Sequence, residues 1–361
     1  MSSLADRLAA RTLELVDIPS ESRHEKEIRE RLLELVPSGM AVEHVDDAYL
    51  FLPEPRPASP LVVLAGHYDT VPAQGNVPGH MSDGVVHGLG ASDMKGGLAV
   101  AIELLRDLGP DVRGPFDVGL LLFGREELPI EHDPLPALFD ASASIGRTSL
   151  AILLEPTDGR VQAGCLGNLV ARLTFRGTSG HSARPWLADS AIARAVAGLA
   201  PLFALEPREV VVEGLTFNEV VSVTRLESGI ADNVIPGEAF ATVNFRYPPD
   251  RTPAEAEATL RSLLPADASV EVVGNASPGR VIAGSPLVNA LRAAGDLTLE
   301  PKQAWTNVAD FTARGIDAVN FGPGHTRYAH HPDEQVEISA LVHAYETLRR
   351  FLGGPVREDG G

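Results

Sequence analysis

Leu61–Pro72 reads LVVLAGHYDTVP, and after a glycine-rich run His87–Gly97 reads HGLGASDMKGG. The apolar run Leu61, Val62, Val63, Leu64, Ala65 is long enough for a buried strand and too short for a helix. It stops at Gly66, and His67 and Asp69 follow at once. Asp93 comes where a loop enters Met94 to Leu108, a stretch with helical apolar spacing. An imidazole and two carboxylates just past a buried strand are a common mounting for a metal site. In an open α/β sheet such ligands gather outside the strand C-termini.

Working outward, the arrangement recurs. Asp117 to Phe123 is a second buried run and leads into Gly124-Arg125-Glu126-Glu127. Leu150 to Leu154 is a third, ending at Glu155-Pro156-Thr157, and Ala318 to Phe321 is a fourth, followed by GPGHTRYAHHPDE. Each of four short apolar runs is thus followed by a histidine or an acid, which points to one site along one sheet edge. Residues 3–17 and 24–36 have helical spacing, and Ser22 with Glu25 has capping-box spacing before the second helix. Residues 41–52 read as an edge strand or hairpin. A helix over 339–352 closes the chain, and the final GGPVREDGG reads as a frayed tail.

From about Val170 to Val273 the texture changes to strand-like alternation, in VARLTFRG, EVVSVTRLES and AFATVNFRYP, with helices expected over 187–203 and 253–264. The predicted fold is therefore α/β. A catalytic domain (1–170 and 279–361) has a mostly parallel central sheet flanked by helices. A smaller α+β domain (171–278) interrupts it.

Composition narrows the function. The 361 residues exceed one ordinary core, and 44% apolar with 22% charged residues is a globular composition. A net charge of −19 argues against nucleic acid or anionic lipid as partners. No apolar run approaches the ~20 residues that span a bilayer. The N-terminal MSSLADRLAARTLELV is amphipathic with early acids, unlike a signal or transit peptide, so the expected location is cytoplasmic. The single Cys165 excludes an internal disulfide and a multi-thiolate zinc site, and reads as a small buried hydrophobe. Any metal must use His, Asp and Glu.

Each candidate also has an ordinary reading. His67-x-Asp69 places a carboxylate where it can orient a metal-bound imidazole, yet a satisfied turn histidine looks the same. Asp93 could bridge two metal ions or cap a helix. Glu126 and Glu127 could divide metal binding and general-base work if the strand has ended at Gly124, or form a solvated pair. Glu155 is sharper, because an acid between AILL and Pro is costly to bury unless paired or ligated. Either His330 or His331 could ligate. The histidines at 24, 44, 80, 87, 132, 325 and 343 read as structural or exposed.

Together, GHYDTVP, GASDMKGG, GREE, LLEPT and AHHPDE resemble the motifs of the M20 family of metallopeptidases and amidohydrolases, in order and across nearly the whole chain. The resemblance selects His330 over His331, because Glu334 lies four residues on. It implies two divalent ions per subunit, zinc with cobalt able to substitute. His67 and Glu155 would bind one ion, Glu127 and His330 the other, and Asp93 would bridge them. It further implies Asp69 orienting His67, Glu126 as general base and a cis peptide after Asp93.

Within the family the chain looks most like the actinobacterial succinyl-diaminopimelate desuccinylases, through GCLGN, GTSGHSARPW, ADNVIPGEAFATVNFRYPPDRTPAEAE, AWTNVADF and VNFGPGH. This implies a ferredoxin-like middle domain serving as lid and homodimer interface. His181 would reach the partner's site and steady the oxyanion, while Asn233 and Arg246 would hold an anionic N-acyl amino acid. The chain departs from enterobacterial-type relatives at Gly164 to Asn168, where arginines are missing; Arg184 is the candidate substitute. Two rivals stay open. N-acetylornithine deacetylase or another acyl-amino-acid hydrolase would share the metal set. A metal-free binding protein on the same scaffold would lack a ligand, and none is missing.

Overall fold

A computed structural model describes residues 3–109 and 114–353. The tail expected beyond Gly353 lies outside the described residues. The chain divides into two compact units, one of residues 1–163, 282–300 and 310–361, the other of 164–281 and 301–309.

The first unit is built on an eight-stranded sheet. Its order is Ala41–Val45, Ala48–Leu52, Asp117–Phe123, Leu61–His67, Thr148–Leu153, Ala318–Asn320, Val161–Cys165 and Leu299–Lys302. The four strands that carry the candidate residues are neighbours and run parallel, and Ala48–Leu52 and Val161–Cys165, which flank them, are antiparallel to their neighbours among the four. Every residue of Leu61–His67 is buried, as expected for a parallel strand covered on both faces. Register does the positioning. His67 pairs with Phe123, Ala65 with Leu153, and Leu153 with Asn320, so the four chains leave the sheet at one level.

Close packing behind that edge fixes the loops. A Cβ on Gly66 would lie 2.6 Å from Met94 Cε, so the side chain that follows Asp93 packs directly on the strand there. A Cβ on Gly322 would lie 2.2 Å from the Leu154 carbonyl oxygen, which holds the loop after Ala318–Asn320 against the one carrying Glu155. The helix expected from Met94 begins at Gly96, because Asp93 and Met94 have non-helical backbone angles. The peptide between them is cis, as the resemblance implies.

One local expectation is corrected. Glu25 makes no side-chain capping bond, and the first helix, Leu4–Val16, instead has a capping box from Ser3 and Asp6. The Ser22 hydroxyl donates to the Asp69 carboxylate at 2.7 Å, so it serves the candidate site rather than a helix end.

The second unit is an antiparallel sheet of Arg208–Val212, Leu215–Ser228, Glu238–Tyr247, Gly167–Arg176 and Ser269–Ala276. Leaving aside the first, hairpin strand, the spatial order in chain sequence is second, third, first, fourth, which is the ferredoxin-like βαββαβ arrangement. Alternate residues Leu169, Ala171, Leu173 and Phe175 meet Ala195 and Leu199 of the helix Ala191–Phe203. This unit also takes in residues 301–309. There the Gln303 side chain accepts from the Asn218 amide and donates to the Thr216 carbonyl, both at 3.0 Å. Among the described residues no helix is long and apolar enough to cross a membrane.

Candidate metal centre

The strand ends of the first unit bring together His67, Asp69, Asp93, Glu126, Glu127, Glu155 and His330. His67 is 1% exposed, and its Nε2 lies 3.2 Å from Asp93 Oδ1 and 4.0 Å from Glu155 Oε1. His330 Nε2 lies 3.0 Å from Glu127 and 3.6 Å from Asp93 Oδ2. Potential ligand atoms of His67, Asp93 and Glu155 converge within 4.8 Å, as do those of Asp93, Glu127 and His330. Asp93 thus belongs to both groups and turns one oxygen toward each. A third group, His67, Glu126 and Glu127, overlaps them.

Asp69 is wholly buried and does more than its spacing suggested. The nearest acceptor for His67 Nδ1 is the Asp69 main-chain oxygen at 3.1 Å, with its carboxylate at 3.4 Å. The carboxylate accepts the backbone amides of Glu126 at 3.1 Å and Glu127 at 3.2 Å, besides the Ser22 hydroxyl. It therefore sets both the imidazole and the turn that presents the two glutamates.

Electrostatics follow from crowding five carboxylates around two imidazoles. Burial opposes a charged His67, but hydrogen bonds to Asp69 and Asp93 outweigh it and hold its pKa well above the ordinary value. For Asp69 burial is offset by His67, Ser22 and the Glu127 amide, and the pKa falls. Burial pushes Glu126 well above the carboxylate range, and although His67 opposes this, Glu155, Glu127 and Asp93 add to it. His330, hydrogen-bonded to Glu127, is raised to about 9.

Further loops are pinned by residues to which the sequence assigned no role in the site. The buried Glu334 carboxylate accepts the amides of Gly90, Ser92 and Asp93. His325, read as structural or exposed, stands 2.7 Å from Asp158, and its amide donates to the Ser92 hydroxyl at 2.9 Å.

In the second unit His181 lies on the two-residue strand Gly180–His181, which pairs with Val234–Ile235. The Ser182 amide donates to the Asn233 carbonyl and the Arg184 amide to the His181 carbonyl, so these residues share one exposed corner. Arg246 lies on another element, Glu238–Tyr247, where its Nε donates to Asn244 at 2.9 Å. Burial lowers its pKa. Cys165 is buried, as expected.

The parallel sheet gathers candidate metal-ligand groups at its strand ends, and with the family match that follows this makes the chain a hydrolase of amide bonds. The sequence profile of peptidase family M20/M25/M40 matches residues 63–353, and the chain belongs to that family. It is 35% identical over 353 residues to the succinyl-diaminopimelate desuccinylase of Corynebacterium glutamicum, covering 94% of this chain and 95% of that one. It is 37% identical over 347 residues to a provisionally assigned succinyl-diaminopimelate desuccinylase of Mycobacterium tuberculosis, covering 95% and 97%. Among solved structures it resembles the YxeP protein of Bacillus subtilis, a dinuclear metal-binding M20 peptidase. The TM-score is 0.69 at 17% identity, over 96% of this chain and 97% of that one.

Proposed function

We propose that the protein removes succinate from N-succinyl-LL-2,6-diaminopimelate, leaving LL-2,6-diaminopimelate. The observation that carries the reaction type is the sharing of Asp93 between two ligand groups. In this reading His67, Asp93 and Glu155 hold one divalent ion, and Asp93, Glu127 and His330 hold the other, with zinc favoured and cobalt able to substitute. The separations suit this. Ligands on ~2.0–2.1 Å tetrahedral arms stand roughly 3.3 Å apart, and the contacts described run from 3.0 to 4.0 Å. When bound, such ions supply Lewis acidity at the amide carbonyl and make an attacking water more acidic.

The protein's own groups do the rest. Glu126 lies outside the two groups that share Asp93, and its carboxylate is biased toward accepting a proton. It takes the proton of the attacking water as the C–O bond forms, and returns it to the departing nitrogen as the C–N bond breaks. Asp69 keeps His67 and the Glu126–Glu127 turn in place. His181 from a second copy of the chain supports the oxyanion, and Arg184, Asn233 and Arg246 hold the substrate's charged groups. The homodimer is supported by an apolar stripe on the helix Ala191–Phe203, where Val196 is 57% and Phe203 67% exposed.

The substrate assignment rests on the relatives. The test compares kcat/KM of the zinc-reconstituted protein on N-succinyl-LL-2,6-diaminopimelate and N-acetyl-L-ornithine. A preference of about a hundredfold or more for the succinyl compound, ~2.7 kcal/mol in transition-state binding, is expected. The reverse preference would move the enzyme to the second reading, an N-acetylornithine deacetylase. That reading is favoured by one observation, the absence of arginine from the stretch Gly164–Asn168.

A further inference from the structure

Glu334 belongs to neither ligand group, yet it is 2% exposed and its carboxylate faces three backbone donors. Oε2 accepts the Gly90 amide at 2.9 Å. Oε1 accepts those of Ser92 at 3.1 Å and Asp93 at 2.9 Å. Its own backbone ends the turn that begins just after His330, because the Glu334 amide donates to the His331 carbonyl at 3.1 Å. The Glu334 carbonyl in turn accepts from the Gly88 amide at 2.9 Å, and Gln335–Glu337 continues as an antiparallel strand against Val85–His87. One buried side chain thus ties the loop that carries Asp93 to the turn that carries His330. A carboxyl group suits the task by its geometry, because its two oxygens accept three amides at once, while burial raises its pKa to about 7. The buried Lys95 side chain donates to the Ile18 carbonyl at 2.9 Å, and burial lowers its pKa to about 7.

We infer that Glu334 is a positioning residue for metal binding. It sets the separation of Asp93 and His330, and with it the affinity of the position those two share with Glu127. This rests on the ligand assignment proposed above. The backbone contacts described tie Glu334 to Asp93 and to the turn after His330, and none reaches His67 or Glu155. The His67–Asp93–Glu155 position should therefore depend on it less.

The test is titration of the chelator-stripped full-length chain with Co2+, followed by calorimetry and by the visible absorption of bound cobalt. Wild type should take up two equivalents. In Glu334→Gln one accepting oxygen becomes an NH2 group facing backbone donors. The second equivalent should weaken about 10- to 100-fold, the usual cost of losing a partner that orients a ligand. The first should stay within about threefold, and the residual spectrum should match that of His330→Asn. Two equivalents bound as in wild type would overturn the inference. So would equal weakening of both together with a lowered melting temperature of the metal-free chain, which would mark a merely structural role. Should Glu334→Gln not fold, Glu334→Asp carries the same test, since it keeps the charge but withdraws the oxygens by one methylene. Wild type that takes up fewer than two ions would instead undo the ligand assignment itself.

Discussion

At the scale of single residues, Asp69 grips the turn between two neighbouring glutamates and gives them different surroundings. Glu127 meets His330, while burial and surrounding carboxylates bias Glu126 toward the protonated form. Glu126→Gln should keep bound metal and fold but lower kcat by about 10²–10⁴, the usual worth of a general base. Unchanged turnover in a metal-loaded sample would remove Glu126 from that role. His330 gives a pH signature in the metal-free chain. Its folded pKa of about 9 exceeds the ordinary imidazole value, so the native state binds the proton more tightly than the unfolded state does. The stability this contributes is complete below about pH 6.5 and is lost as pH rises through about 9. The melting-temperature advantage of wild type over His330→Asn, both stripped of metal, should therefore shrink between pH 6.5 and 9. An advantage that grows with pH would contradict the ion pair with Glu127.

At the scale of elements, the parallel strands were legible because each is a short apolar run that ends at glycine or at a polar residue. The acids and histidines after them could be listed as candidates. Their roles could be divided only through a family resemblance, since spacing alone left Glu126 and Glu127, or His330 and His331, interchangeable. The contacts that hold the cluster were not legible. Ser22 and Asp69 are 47 positions apart, and Glu334 and Asp93 are 241 apart, so no local pattern marks them. Ser22 was misread for that reason, because a serine three residues before a glutamate also fits a helix cap. Gly322 tests how far the loops depend on close packing. Gly322→Ala would press a methyl onto the Leu154 carbonyl, displace the Glu155 loop, and cost about 1–3 kcal/mol of stability along with metal affinity. Denaturant melts and a metal titration of the variant check this, and an undisturbed titration would show that the loop can give way.

At the scale of the whole molecule, the middle unit was legible as α+β from its alternation, and its ferredoxin-like strand order, which only the resemblance implied, is seen in the pairings. The proposed dimer makes a sharp prediction. If His181 serves the partner's site, Glu126→Gln and His181→Ala homodimers should each be nearly inactive. After subunit exchange, half of the dimers would be mixed, and one of their two sites would have both groups intact. About a quarter of wild-type activity should then return. Mixing that restores nothing, with exchange verified by size and mass, would mean that His181 acts within its own chain or not at all.

The course of the backbone between the two units has a consequence for making and engineering the protein. The chain leaves the first unit after Ala163 and returns at Ile282, then leaves again after Glu300 and returns at Asp310. On a ribosome, the middle unit's strands and helices emerge well before its last piece, residues 301–309, which carries Gln303 and its bonds to the hairpin at Thr216 and Asn218. Neither unit is complete until nearly the whole chain has been made, so their final steps of folding fall at the same late moment. For the same reason a single cut-and-paste of 164–281 into another scaffold would leave that hairpin without its brace. A working graft must carry both pieces.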